Sequence, residues 1–308
     1  VIFTVEDRGG KIISVLVFSF IVSLFYGLLQ IFGVFLIPFS SFQSKGFSTL
    51  GSLNSMGIIS AVMMPLLANR FLFDGALNGI FKYIRYFGIG LAVFVLIFVN
   101  WWVLWAVTIA GMTAFVAIHS FAEGFKPRKF MLPMFLIVIG IFLILINFNL
   151  NFLKSGLPLE VAPSYGLSFN VLKEVLKESP IFGYGPENLI FAFEKFGYRN
   201  LAGTIFSDIR FTDATSEFLT FGIESGSVGM AALLYFIVSL AIMIARGARE
   251  EKNIGGSSLA FIIALFAAYF LYPFNMVLGL IFWVGLAILV LNIEGENKVL
   301  DYLITVIE

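Results

Sequence analysis

The chain has no cysteine, which excludes disulfides, thiolate nucleophiles and cysteine-ligated metal sites. Its single histidine, His119, cannot build a multi-histidine metal site, although carboxylates could still hold a hard cation. His119 ends an apolar run beside a predicted cytoplasmic turn and reads as a structural or interfacial residue. Charge is scarce, at 12% of the 308 residues, whereas about a quarter is usual in soluble domains. The 19 basic and 19 acidic residues cancel, and the basic ones form no block or stripe, so nucleic acid is not an expected partner. There is no glycine-rich phosphate loop, nucleophile elbow or paired metal-ligand motif, and no metal or cofactor is expected. The turn at Gly183-Tyr184-Gly185 follows no buried strand, so it does not qualify as a dinucleotide site. The front of the chain, from Val1, lacks the basic, apolar and small-residue order of a signal peptide, and none is read there.

What the chain has instead is apolar surface. Hydrophobic residues make up 60% of it, with 38 phenylalanines spread over nearly every apolar stretch. Mean hydropathy is +1.00. A soluble core cannot hide that much apolar surface, so lipid is the expected solvent. Spans of about 20 apolar residues are supplied by eight stretches: 12–37, 53–68, 86–100, 101–121, 130–150, 221–245, 258–275 and 277–293. The third and fourth abut at Asn100-Trp101, which demands a very tight turn, and the last two meet similarly around Pro273 and Asn275. The expected fold is therefore an all-α integral membrane protein of about eight transmembrane helices with one large extracytoplasmic loop. Three regions follow: a bundle over 1–150 holding five of the candidate spans, a loop over 151–220, and three spans with a short cytoplasmic tail over 221–308.

Orientation follows from lysine and arginine in the short connections, which are retained in the cytoplasm. Arg8 and Lys11, then Arg70, Lys82 and Arg85, then Lys126, Arg128 and Lys129, then Arg246, Arg249 and Lys252, and finally Lys298 all fall on one side. The opposite short turns carry only Lys45. Both termini are thus expected in the cytoplasm, and segment 151–220 outside it.

That segment, roughly 70 residues without a span, is too long for a passive connector. Leu167, Val171, Leu172, Val175 and Leu176 repeat at helical spacing, with Lys173, Glu174, Lys177 and Glu178 opposite, and Pro180 ends the pattern. A glycine- and proline-rich turn, 179–186, leads through Glu187-Asn188 into a second short helical stretch stopped by Gly197. The loop is expected to lie along the membrane surface.

The densest polar cluster is 207–217. A helix starting near Asp213 would put Asp213, Glu217 and Glu224 on one face, so that three carboxylates look into one cleft. Glu224 would then sit at the outer interface, where a carboxylate without a purpose is costly. The plainer alternative is an N-cap by Asp213 or Thr212, with Arg210 paired to a neighbour. Arg210 and Arg199 are the arginines of the outer side, and arginine suits bidentate gripping of phosphate oxygens, although a solvated surface arginine is the simpler reading. Gly222, Gly226 and Gly229 allow close helix packing or a local break. Asn54, just inside the second span, is a polar residue at a membrane entry.

Three stretches carry a family resemblance: 179–188 (SPIFGYGPEN), 214–219 (ATSEFL) and 224–229 (ESGSVG). In order and spacing they resemble the signature loop of the O-antigen ligase and O-antigen polymerase superfamily. Gly51-Ser52-Leu53-Asn54 resembles that family's Gly-Asn-Pro-Asn opening of a helix. The resemblance spans roughly residues 45–290 and is sharp over 179–229. It implies a GT-C-like helical bundle acting without metal or cofactor. Such an enzyme moves a glycan from an undecaprenyl diphosphate carrier to a glycan or lipid acceptor at the outer face of the cytoplasmic membrane. The diphosphate leaving group needs positive charge, and the acceptor hydroxyl needs a base or orienting group. Carried onto this chain, Arg210, Asp213, Thr215 and Glu217 are the candidate catalytic residues, and Arg199, Glu224, Asn54 and Gly185 the candidate substrate-binding ones. Thr215 stands where the family has its functional histidine and Ser216 where it usually has asparagine. Family members also have more spans, which implies further N-terminal helices. A transporter of lipid-linked saccharides and a noncatalytic partner in polysaccharide assembly remain the alternatives.

Overall fold

The computed structural model describes residues 8–72, 80–125, 127–146, 156–158, 160–197, 209–249 and 255–294. Among them every regular element is helical. In chain order they are α1 (Arg8–Ile31), a 3-10 turn (Ser40–Phe42), α2 (Leu53–Leu72), α3 (Ile80–Val99), α4 (Trp102–Glu123), α5 (Met131–Ile146), α6 (Tyr165–Glu178), α7 (Leu189–Ala192) with a π-helical turn (Phe193–Gly197), α8 (Glu217–Arg249), α9 (Gly256–Leu271) and α10 (Met276–Glu294). Each apolar stretch of the sequence contains a helix, but two end short of the expected spans, α1 at Ile31 rather than 37 and α9 at Leu271 rather than 275, and 147–150 of the fifth lie outside the described residues. Four of them, α1, α4, α8 and α10, are long and apolar enough to cross a membrane, while α2, α3, α5 and α9 contain shorter apolar runs.

The chain divides into two compact units. The first comprises residues 1–160, 247–267 and 275–308. At its centre α2 is buried continuously from Ser55 to Ala68, as expected of a helix apolar all round. Pro65 lies inside it. Gly111 of α4 lets the helices close up there, since a Cβ at that position would sit 2.9 Å from Ala264 Cβ and 3.1 Å from Pro65 Cγ. Buried hydroxyls turn back on their own helices: Ser60 donates to the Met56 carbonyl at 2.7 Å and Thr108 to Leu104 at 2.8 Å. Large apolar side chains such as Phe18, Phe135, Phe142 and Trp283 remain exposed, a surface suited to lipid.

The turn between α3 and α4 is as tight as the sequence demands. Asn100 takes a φ of 37°, a conformation asparagine tolerates better than most residues. Its side-chain oxygen accepts the indole N–H of Trp105 at 2.8 Å, so the polar turn is satisfied where it is buried. Asn275 does similar work before α10: its oxygen caps the Leu278 N–H and its amide donates to Leu50, each at 2.9 Å.

The second unit, residues 161–246 and 268–274, holds the polar sequence motifs. Ser164 caps α6 by accepting the Leu167 N–H at 3.2 Å. The apolar stripe of α6, Leu167, Val171, Leu172 and Val175, forms one core with Leu189, Phe193, Phe211, Leu219 and Ile223. This core fixes the loop segments to the start of α8.

Candidate functional site

Helix α8 contains 33 residues, roughly 50 Å at 1.5 Å per residue, against a hydrocarbon core of roughly 30 Å. It is broken at Gly226, whose φ of 62° and ψ of −156° are non-helical. The break separates a first segment carrying Glu217 and Glu224 from a longer apolar one. In an unbroken helix the Ser227 and Val228 N–H groups would donate to Ile223 and Glu224. Here they donate to the carbonyls of Pro180 and Ile181, at 2.9 and 3.1 Å. The carbonyls of Ile223 and Glu224 accept instead from Tyr184 and Gly185, at 3.0 and 2.9 Å. The 180–185 turn is thus laced into the gap, and these four backbone groups of the break all find partners there.

Only glycine permits this approach. A Cβ on Gly183 would lie 2.4 Å from the Ile223 oxygen, and one on Gly226 would lie 2.4 Å from the Gly183 nitrogen. Both glycines, and Gly185, have positive φ. Glu187 completes the lacing by donating its N–H to Glu224 Oε1 at 2.9 Å. Of the alternatives open for Gly222, Gly226 and Gly229, the local break falls at Gly226, while Gly222 packs against Leu172.

Residues 214–217 form the second part of the site. The sequence-based expectation of a helix starting near Asp213 is corrected: α8 begins at Glu217. The cause is Ser216, whose hydroxyl accepts the Leu219 N–H at 3.4 Å, while the Ala214 N–H donates to the Thr220 hydroxyl at 3.0 Å. Asp213 and Thr212 therefore do not cap the helix. Thr215 is buried, its hydroxyl donating to the Pro163 carbonyl at 2.7 Å and meeting the Ser168 hydroxyl at 2.8 Å, while its N–H donates to Ser168 at 3.1 Å. It ties the start of α6 to the entry of α8.

The three carboxylates differ in setting. Glu217 Oε2 accepts the Phe274 N–H at 2.9 Å, and its own N–H donates to Tyr272 at 3.0 Å, so it clasps the segment following α9. Glu224 is half-buried against the turn. Asp213 is exposed and accepts the Thr212 hydroxyl at 2.8 Å. Asp213 lies within the electrostatic reach of both glutamates. Arg210 is exposed and pairs with Glu194, Nε to Oε1, at 3.3 Å. Arg199 lies outside the described residues. Asn54 is the second residue of α2, in the other unit. Among the described residues no group of three or more His, Cys, Asp or Glu is placed to hold a metal ion.

Two further contacts had no local signal in the sequence, because their partners are distant along the chain. Lys195 donates to both oxygens of Glu178, at 2.5 and 2.6 Å, and the Tyr184 hydroxyl donates to Glu178 at 3.0 Å. Hydrogen bonds from Lys195, then Tyr184, hold the Glu178 carboxyl below its ordinary range, and the bond to Glu178 raises Lys195. The Tyr165 hydroxyl donates to the Leu271 carbonyl at 2.5 Å, and burial pushes its phenol up to about 12.

No protein-family model matches the chain, and no curated protein or solved structure matches it significantly.

Proposed function

We propose that this chain is a membrane glycosyltransferase of the O-antigen ligase and polymerase type, using an undecaprenyl diphosphate-linked glycan as donor and a glycan or lipid as acceptor. The observation that carries the proposal is the lacing of 180–185 into the break of α8. Two of the stretches that carry the resemblance, some forty residues apart in sequence, meet backbone to backbone. The third begins the same helix, so all of them frame one polar site at the head of a long apolar helix. In this proposal all eight apolar helices cross the cytoplasmic membrane, both termini are cytoplasmic and the site faces outward.

The reaction joins the acceptor hydroxyl oxygen to the anomeric carbon of the donor, and the bond from that carbon to the diphosphate breaks. Arg210, with Arg199, grips the diphosphate and offsets the charge that develops on it. Glu217 is held by Phe274, so Asp213, exposed beside it, is the carboxylate that orients the acceptor and takes its proton. Glu224 and Gly185 shape the wall beside them. Thr215, buried and hydrogen-bonded to Ser168 and Pro163, is a positioning residue in the place of the family's histidine. That substitution favours a second reading, a noncatalytic relative that binds lipid-linked glycan without turnover.

The test is glycan transfer by the purified chain in lipid, with an undecaprenyl diphosphate oligosaccharide as donor. Arg210→Ala should abolish transfer and leave membrane insertion intact; unchanged transfer in this variant rejects the role given to Arg210. Donor binding by the wild-type chain without any transfer would select the noncatalytic reading.

A further inference from the structure

A cavity of about 210 Å³ lies in the first unit, between the end of α1, the 45–53 segment that leads into α2, and Leu157, Pro158 and Glu160. Pockets for drug-sized ligands run from about 300 to 1,000 Å³, so this one has room for a single small group. Its walls are tied together. A Cβ on Gly46 would sit 2.4 Å from Pro158 Cγ, and the Ser52 hydroxyl donates to Glu160 Oε2 at 2.5 Å. Ser52 is itself fixed at the start of α2, where it accepts the Ser55 N–H at 3.0 Å. Ser48, another lining residue, accepts the Leu50 N–H at 3.1 Å.

The lining chemistry selects a ligand class. Phe47 and Leu157 supply apolar wall, Ser48 and Ser52 supply hydroxyls, and Lys45 and Glu160 supply one charge of each sign. A phosphate would meet the Glu160 carboxylate, and a bare amine would meet the Lys45 ammonium. A neutral ring bearing several hydroxyls suits both, since carboxylate, ammonium and hydroxyl all hydrogen-bond to hydroxyl groups. The apolar face of such a ring packs on aromatic and aliphatic wall. We infer that this cavity is a binding site for one sugar ring. Every lining residue belongs to the first unit, and the existence of the site can be measured without any transfer reaction.

The experiment uses the full chain in phosphatidylglycerol nanodiscs and saturation-transfer NMR with glucose, galactose, N-acetylglucosamine and rhamnose. Glycerophosphoethanolamine and inorganic phosphate are the headgroup and anion probes. At least one sugar should bind saturably. Glu160→Gln should weaken that binding tenfold or more, and Leu157→Trp, which fills the cavity, should remove it. Where Leu157→Trp fails to fold, Glu160→Gln and Lys45→Met carry the test, being changes at exposed side chains. Absence of sugar binding, binding indifferent to these variants, or binding of the phosphate-bearing probes alone overturns the inference. Sugar binding in a chain that transfers no glycan would keep the cavity site and remove the proposed function; transfer without sugar binding would do the reverse.

Discussion

Replacing Gly226 with alanine should release the 180–185 turn while leaving α8 helical. The added Cβ would sit 2.4 Å from the Gly183 nitrogen and 2.7 Å from the Ile181 oxygen, both main-chain atoms that cannot rotate away. Holding alanine at a φ of 62° and a ψ of −156°, a region essentially reserved for glycine, costs about 1–3 kcal/mol. When the turn leaves, its four backbone hydrogen bonds are lost, but Ser227 and Val228 can regain helical partners in Ile223 and Glu224. The net loss is two bonds at about 1 kcal/mol each. Those bonds favour the docked turn and oppose its release, so the variant acts through strain and the main-chain clash; the strain alone raises the opening equilibrium by about one to two orders of magnitude. Hydrogen exchange on the chain in nanodiscs reads this directly. Amides of Tyr184 and Gly185 should lose their protection while those of Ser227 and Val228 keep theirs. Gly183→Ala should give the same pattern, because its Cβ would strike the Ile223 oxygen. Wild-type protection at 184–185 in both variants would refute the lacing.

Other consequences are as direct. Glu217→Ala removes the acceptor of the Phe274 N–H and should lower stability by about 1–3 kcal/mol, whereas Glu217→Gln, which keeps an oxygen there, should lower it less; equal melting temperatures for the two would deny the clasp. Thr215→Val removes the donor to Pro163 and should cost about 1–3 kcal/mol without changing transfer per folded molecule, so a specific loss of transfer would show that Thr215 does more than hold position. Glu178 ionises below the ordinary carboxylate range, so its pairing with Lys195 contributes fully above that range and is lost as pH falls through the lowered value. Melting curves of wild type and Glu178→Gln should therefore converge as acidification carries the pH below that lowered value, and a gap that persists once Glu178 is protonated would contradict the pairing.

The helices were legible because a lipid-compatible run states its own position, and Pro180 follows the end of α6 as local rules say it should. The start of α8 was not. Asp213, Thr212 and Ser216 are all competent caps, and the choice among them is made by contacts to Thr220 and, through Glu217, to Tyr272 and Phe274. Periodicity could offer Gly226 as a break, but only the fold supplies the segment that fills it, drawn from more than forty residues upstream. Thr215 shows the same limit. Its identity suggested altered chemistry, while its partners Pro163 and Ser168 lie about fifty residues away and make it part of the frame. Nothing local marks the Lys195–Glu178 pair either.

The facing glycines also constrain how this chain can diverge. Each excludes a side chain on the other's segment through main-chain atoms, so no substitution at Gly183 can compensate for one at Gly226, nor the reverse. A lineage carrying this arrangement has no single-step path to a larger residue at either position that keeps the turn docked. Descendants should hold both glycines together, or should have abandoned the broken helix altogether and with it the geometry at its polar head.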